Sequence, residues 1–242
     1  TDSVVRASFG TGFRAPLLTE LAFNPTFQPE RSVEYELGGE HIFGHSRFAT
    51  HGVFNAYRTL IDDAGFQTVN AAGQLTFLGN IGQSYYQGVE LRADQPVTNS
   101  IALHASYGIN SAFPTLNPFQ LNPAAPDVIP GEQFQGIPLH KAQLLVDRAA
   151  QPGGLNYSLT GSYESTNDEL NRGAYVLLDA SVGMTFGHTD LSVAGSNLTD
   201  QFDQKFTLIG AGVPYPIPGG TMPTDAYSLQ GRAVRFTVTQ RF

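Results

Sequence analysis

The residues able to do chemistry are few and poorly grouped. Adjacent carboxylates stand at Asp62-Asp63 and Asp168-Glu169, a pairing that general acid–base catalysis uses when a histidine joins it on one rim. The histidines, at His41, His45, His51, His104, His140 and His188, are scattered, and none shows a His-x-His or His-Glu-x-x-His spacing. No metal site is expected from them, and the expected reading is solvated loop carboxylates and rim histidines, with no catalytic residue and no cofactor. The absence of Cys removes thiolate catalysis, disulfides and cysteine zinc sites. Gly10-Thr11-Gly12 lacks the third glycine and the following helix of a phosphate loop. Asn197-Leu198-Thr199 fits a glycosylation pattern with nothing else to support it. What remains is recognition by aromatic rings. Phe113, Phe119 and Phe134 fall in the proline-rich stretch 111–138, and Tyr215 and Tyr227 in another, 198–228. Proline stiffens such loops and limits the entropy lost on capture. Aromatics with few charges suit an amphipathic, aromatic or iron-chelate ligand. The same rings serve equally well to pack loops together or to form an interfacial girdle, and the sequence leaves both readings open.

Composition narrows the class. Charged residues are 14% of the 242, well below the usual quarter. Aromatics at 11% and abundant Val, Ile and Leu exclude a disordered chain. A net charge of −8 excludes the basic face of a nucleic-acid binder, so no nucleic-acid partner is expected. No apolar run is long enough for a transmembrane helix, which leaves one route into a membrane, the β-barrel.

The elements that must position these residues repeat with a period of two. In 155–164, Leu155, Tyr157, Leu159, Gly161 and Tyr163 alternate with Asn156, Ser158, Thr160, Ser162 and Glu164. The segments 174–186, 101–110 and 229–242 behave alike, and weaker versions lie at 3–10, 32–41, 85–94, 140–148 and 189–197. Segment 46–61 is apolar-rich with mixed faces that cannot be assigned. These strands mostly run about nine to twelve residues, whereas soluble strands run about five or six and a tilted bilayer-crossing strand about nine to eleven. The connections alternate in length: 11–31, 62–83, 111–138, 165–173 and 198–228 are long, while 43–46, 95–99, 151–154 and 187–189 are short. Tight turns on one rim and long loops on the other are the plan of an antiparallel up-and-down transmembrane β-barrel. A Greek-key sandwich would not keep that order, and no blade-length repeat suggests a propeller. The polar face carries Glu34, Glu36, Glu40, Glu90, Arg92, Asp94, Lys141, Gln143, Asp147, Arg235 and Arg241, which a membrane barrel turns toward a wet or plugged lumen. The last residue, Phe242, is an aromatic on the apolar face of the final strand.

Five segments in order resemble the TonB-dependent outer-membrane receptors. They are SFGTGFRAPLLTEL (8–21), NPTFQPERSVEYELGGE (24–40), FNAYRTLID (54–62), NIGQSYYQGVEL (80–91) and SNLTDQFDQKF (196–206). The resemblance implies a barrel of about 22 strands closed from within by an N-terminal plug. It implies uptake of a scarce ligand, most often a ferric siderophore, driven by a TonB complex acting on the plug. Residues 1–242 are then expected to be the C-terminal part of the barrel, about ten strands, with the plug and the N-terminal strands outside them. The chain begins at Thr1 rather than Met, as a mature product or a piece of a longer chain would. The implied partners are outer-membrane lipid, the ferric ligand, the TonB complex and the barrel-assembly machinery, which reads a terminal aromatic such as Phe242. The implied location is the bacterial outer membrane. The alternative is a self-contained small barrel with a structural or hydrolase role. Within the motifs, Arg14 is expected to form a structural salt bridge; the alternative is a lumen-facing or loop-anchoring residue.

Overall fold

The computed structural model describes residues 2–69, 75–80, 82–115, 133–134, 137–149, 154–166, 173–201 and 231–240. Ten antiparallel strands form one sheet in strict chain order. They are β1 (Ser3–Arg14), β2 (Glu30–Phe43), β3 (Thr50–Asp62), β6 (Gln83–Pro96), β7 (Ile101–Pro114), β8 (His140–Arg148), β9 (Leu155–Glu164), β10 (Tyr175–Phe186), β11 (Thr189–Ser196) and β12 (Ala233–Gln240). Two further strands, β4 (Gly65–Val69) and β5 (Leu75–Asn80), pair with each other between β3 and β6, and a short helix α1 (Leu18–Phe23) follows β1. Among the described residues no pairing joins β1 to β12, so the sheet is open and not a closed ten-stranded barrel.

Register assigns the faces, because directly opposed residues share one. Gly39, Phe54, Leu91, Tyr107, Ala142, Tyr163 and Val176 form a continuous row across seven strands. One step along, Arg6, Gly38, Asn55, Glu90, Gly108, Lys141, Glu164 and Tyr175 form the matching polar row. The described residues of the expected polar face all fall on that side; Arg241 lies outside the described residues. Segment 46–61 now resolves. Its apolar face carries Gly52, Phe54, Ala56, Arg58 and Leu60, and its polar face His51, Val53, Asn55, Tyr57, Thr59 and Ile61. The pattern reads as mixed because Val53 and Ile61 stand on the polar side, while Arg58 stands on the apolar side and stacks 4.4 Å from the Tyr85 ring.

The strands exceed their expected lengths chiefly at the loop-bearing end: β1 continues to Arg14 and β7 to Pro114. Thr11 and Ser111 interrupt the apolar face there before Phe13 and Phe113 resume it, so the sequence pattern reads as ended. The connection 62–83, expected as an open loop, contains β4 and β5.

The core decides the environment. Among the described residues the buried apolar side chains are Phe27, Ala64, Ala112, Pro114 and Pro138, all at the loop-bearing end. Val5 and Phe236 remain 77% and 76% exposed, and large apolar side chains of every long strand are likewise open. The sheet strands touch only their ladder neighbours. Among the described residues no second layer packs on the apolar face, so they do not form a sandwich with a dry interior, and so large a bare apolar face marks a surface that meets an apolar partner. No described helix is long and apolar enough to cross a membrane.

Candidate functional site

The polar face has two built regions, one at each end of the strands. At the loop-bearing end, Arg14 closes β1. Its Nε donates to Glu30 Oε2 at 2.6 Å and its Nη2 to Glu30 Oε1 at 3.0 Å. Its Nη1 donates to both Glu20 oxygens, at 3.0 and 3.1 Å. A guanidinium holds two carboxylates this way because its planar fork offers several fixed donors. Glu20 also accepts the Leu17 N–H at 2.7 Å, which caps α1. Glu30 Oε1 accepts the Gly65 N–H at 2.6 Å, at the start of β4. Phe27 lies beneath the guanidinium, 5.9 Å from it and only 4% exposed. Arg14 forms the structural ion pair expected of it, and through Glu20 and Glu30 that pair also anchors loops.

Further along the same rim, Asn197 adopts a left-handed backbone, φ 48°, a conformation Asn tolerates better than most residues. It is 4% exposed. Its Oδ1 accepts the Gln201 N–H at 2.9 Å, and its own N–H donates to Asp179 at 2.7 Å. The Thr199 hydroxyl donates to the Val176 carbonyl at 3.0 Å. This turn locks the last long connection onto β10, which explains Asn-Leu-Thr-Asp physically and gives the glycosylation pattern a structural role.

At the short-turn end an ionic belt crosses six adjacent strands. Arg6 meets Glu40 at 3.2 Å, and Glu40 meets His51 Nε2 at 3.2 Å. His51 Nδ1 lies 3.7 Å from Asp94, and Asp94 lies 2.6 Å from His104 Nδ1. His104 Nε2 meets Asp147 at 3.1 Å. Arg92 adds a second cation to Asp94, at 3.0 Å. Sequence reasoning missed this belt, since its histidines stand 53 positions apart by their numbers. Only strand register brings them together.

The other sequence candidates separate. Asp62 is held by Gln83 at 2.7 Å, and Asp63 turns the chain at φ 57° with its carbonyl on Asn80, so their neighbours are amides and not a histidine. Asp168 and Glu169 lie outside the described residues. Phe113 sits on the apolar face beside Tyr85, with ring centroids 5.8 Å apart. Phe134 stacks on Tyr86 at 5.9 Å, and its N–H donates to the Ala112 carbonyl at 2.7 Å. The neighbouring Gln133 side chain accepts the Ala112 N–H at 2.9 Å and donates to Asn110 O at 2.9 Å, fixing the return of 111–138 against β7. Phe119, Tyr215, Tyr227 and Phe242 lie outside the described residues. No group of three or more metal-ligating side chains is assembled among the described residues.

A ten-stranded meander with one face bare and the other ionic is a section of membrane barrel wall. The chain belongs to the family described as TonB dependent receptor-like, beta-barrel, which matches residues 1–198. It is a family of transport receptors of the outer membrane and not of enzymes. Solved structures share the fold at low identity. The siderophore receptor PiuA from Acinetobacter baumannii aligns with TM-score 0.70 and 18% identity, over 98% of this chain and 33% of that one. The copper transporter OprC gives 0.69 and 13%, over 98% and 36%. The ferric citrate transporter FecA gives 0.65 and 17%, over 98% and 35%. The chain therefore spans about a third of the length of the structures it matches. A search of curated protein sequences gives no match.

Proposed function

We propose that residues 1–242 are the C-terminal part of the barrel of an outer-membrane receptor for active uptake, with the plug and the N-terminal strands contributed by chain outside them. The observation that carries this is the open sheet with a bare apolar face, in a chain about a third as long as the receptors that share its fold. Upstream strands would pair with the free edges of β1 and β12, whose backbone groups cost several kcal/mol each if left unpaired in lipid. That no pairing joins β1 to β12 among the described residues weighs against the self-contained small barrel.

In this reading the apolar face meets outer-membrane lipid, and the TonB complex supplies energy through the plug. The barrel-assembly machinery reads Phe242. The long loops capture the ligand: Phe134, held on Tyr86 at the rim, together with Phe119, Tyr215 and Tyr227, offers it rings, and Phe113 supports the base of the loop. The ligand class is a ferric siderophore. Several receptors of this fold are named for siderophores or ferric chelates, and an aromatic, charge-poor loop suits such a ligand. The test is uptake of radio-iron carried by catecholate and hydroxamate siderophores in the native host. Deleting the gene, or excising 116–132 from the natural chain, is expected to abolish uptake of one of them, as removal of TonB does. Unchanged uptake of both after gene deletion would refute the ligand class.

A further inference from the structure

We infer that the described parts of the first two long connections, 15–29 and 63–69 with 75–80, form one mechanical unit, and that Arg14 is the residue that positions it. The sequence separates these connections by the whole β2–β3 hairpin, yet two independent pins join them. The first runs through charge: Arg14 holds Glu20 of α1 and Glu30 of β2, and Glu30 in turn accepts the Gly65 N–H from the start of β4. The second runs through one amide: Asn80, the last residue of β5, accepts the Gln28 N–H at 2.7 Å and donates to Gln28 O at 3.0 Å and to Asp63 O at 2.5 Å. The two pins flank Phe27 and Ala64, both buried, and α1 lies beside β5.

The fit leaves no slack at the crossing point. A Cβ on Gly65 would stand 2.7 Å from the Phe27 ring, 2.8 Å from Arg14 Nη2 and 2.9 Å from Glu30 Oε1. The backbone at 65 can reach the carboxylate only because that position is glycine. A ligand that displaces either connection must therefore move both, so the rim responds to contact on one loop by rearranging two. This coupling does not depend on which ligand the receptor takes.

Hydrogen exchange on the natural receptor chain in bilayer nanodiscs tests it. Arg14→Lys keeps the charge but loses the fork, and exchange is expected to rise about tenfold, the loss of roughly one charge-assisted hydrogen bond. The rise should appear together at the amides of Leu21, Asn24 and Phe27 and in 65–69 and 75–80, with the wall amides 53–56 and 88–91 unchanged. Gly65→Ala changes the sequence of the second connection alone; its Cβ would meet Phe27 and Arg14 directly, so its readout is Leu21 and Asn24, where exchange should still rise. A rise confined to the mutated connection in either variant would overturn the inference, as would no rise at all. Should Arg14→Lys loosen the wall as well, Gly65→Ala alone decides. Siderophore uptake is not the readout, so the result stands apart from the proposed function.

Discussion

The two ends of this sheet use ion pairs in different ways. At the short-turn end, Arg6, Glu40, His51, Asp94, His104 and Asp147 face one another side by side across the strands, mostly half-buried and meeting only other side chains. At the loop-bearing end, Arg14, Glu20 and Glu30 enclose backbone groups, and so do Asn80 and Asn197. A side chain that satisfies a backbone N–H fixes the path of the chain. One that only meets another side chain can be replaced by water. The motif residues of the family gather at the first kind of site, so the signature segments specify how loops leave the wall and not what the loops hold.

The largest expected effect belongs to the wall between the two ends. Val182→Arg on the apolar face should cost about 2–4 kcal/mol of folding into phospholipid vesicles if it stands at mid-bilayer. Ser181→Arg, which loses only a 2.7 Å contact with Ser158 on the polar face, should cost far less. Equal losses in a urea titration would contradict the facing assignment. Gly88→Ala comes next, at about 1–3 kcal/mol from overpacking. Its Cβ would lie 2.5 Å from the Ile109 carbonyl and 2.6 Å from the Tyr57 hydroxyl, and backbone does not yield cheaply.

The remaining two variants set the ends against each other. Asn197→Ala should cost about 1–2 kcal/mol, because buried backbone partners are left unmet and the left-handed turn becomes strained. Asn197→Gly should recover part of that by relieving the strain alone; a loss equal to that of the Ala variant would argue that backbone conformation plays no part. His104→Ala should cost about 1 kcal/mol or less, because solvent still reaches its ion pairs. Its small effect should shrink further at high salt, whereas the Asn197→Ala loss should not. If His104→Ala proves the more damaging of the two, the contrast between the ends is wrong.

The sequence by itself determined the strand count of the main sheet, the alternation of tight turns and long loops, and nearly every facing. A period of two is a local property, and a bare apolar face writes itself residue by residue into the chain. It also marked Arg14, Glu30, Asn80 and Asn197 through the motifs they sit in, without saying what they hold. Only the tertiary structure decided the partners. The belt joins His51 to His104 through Asp94, and the crossing at Gly65 joins two loops separated by two strands. Such contacts depend on register between strands and on loop paths, and no local pattern encodes either. The strands that would meet the two free edges lie beyond any pairing among the described residues, for the same reason: pairing is a relation between segments, and a segment's own sequence states only which face it turns to its neighbours.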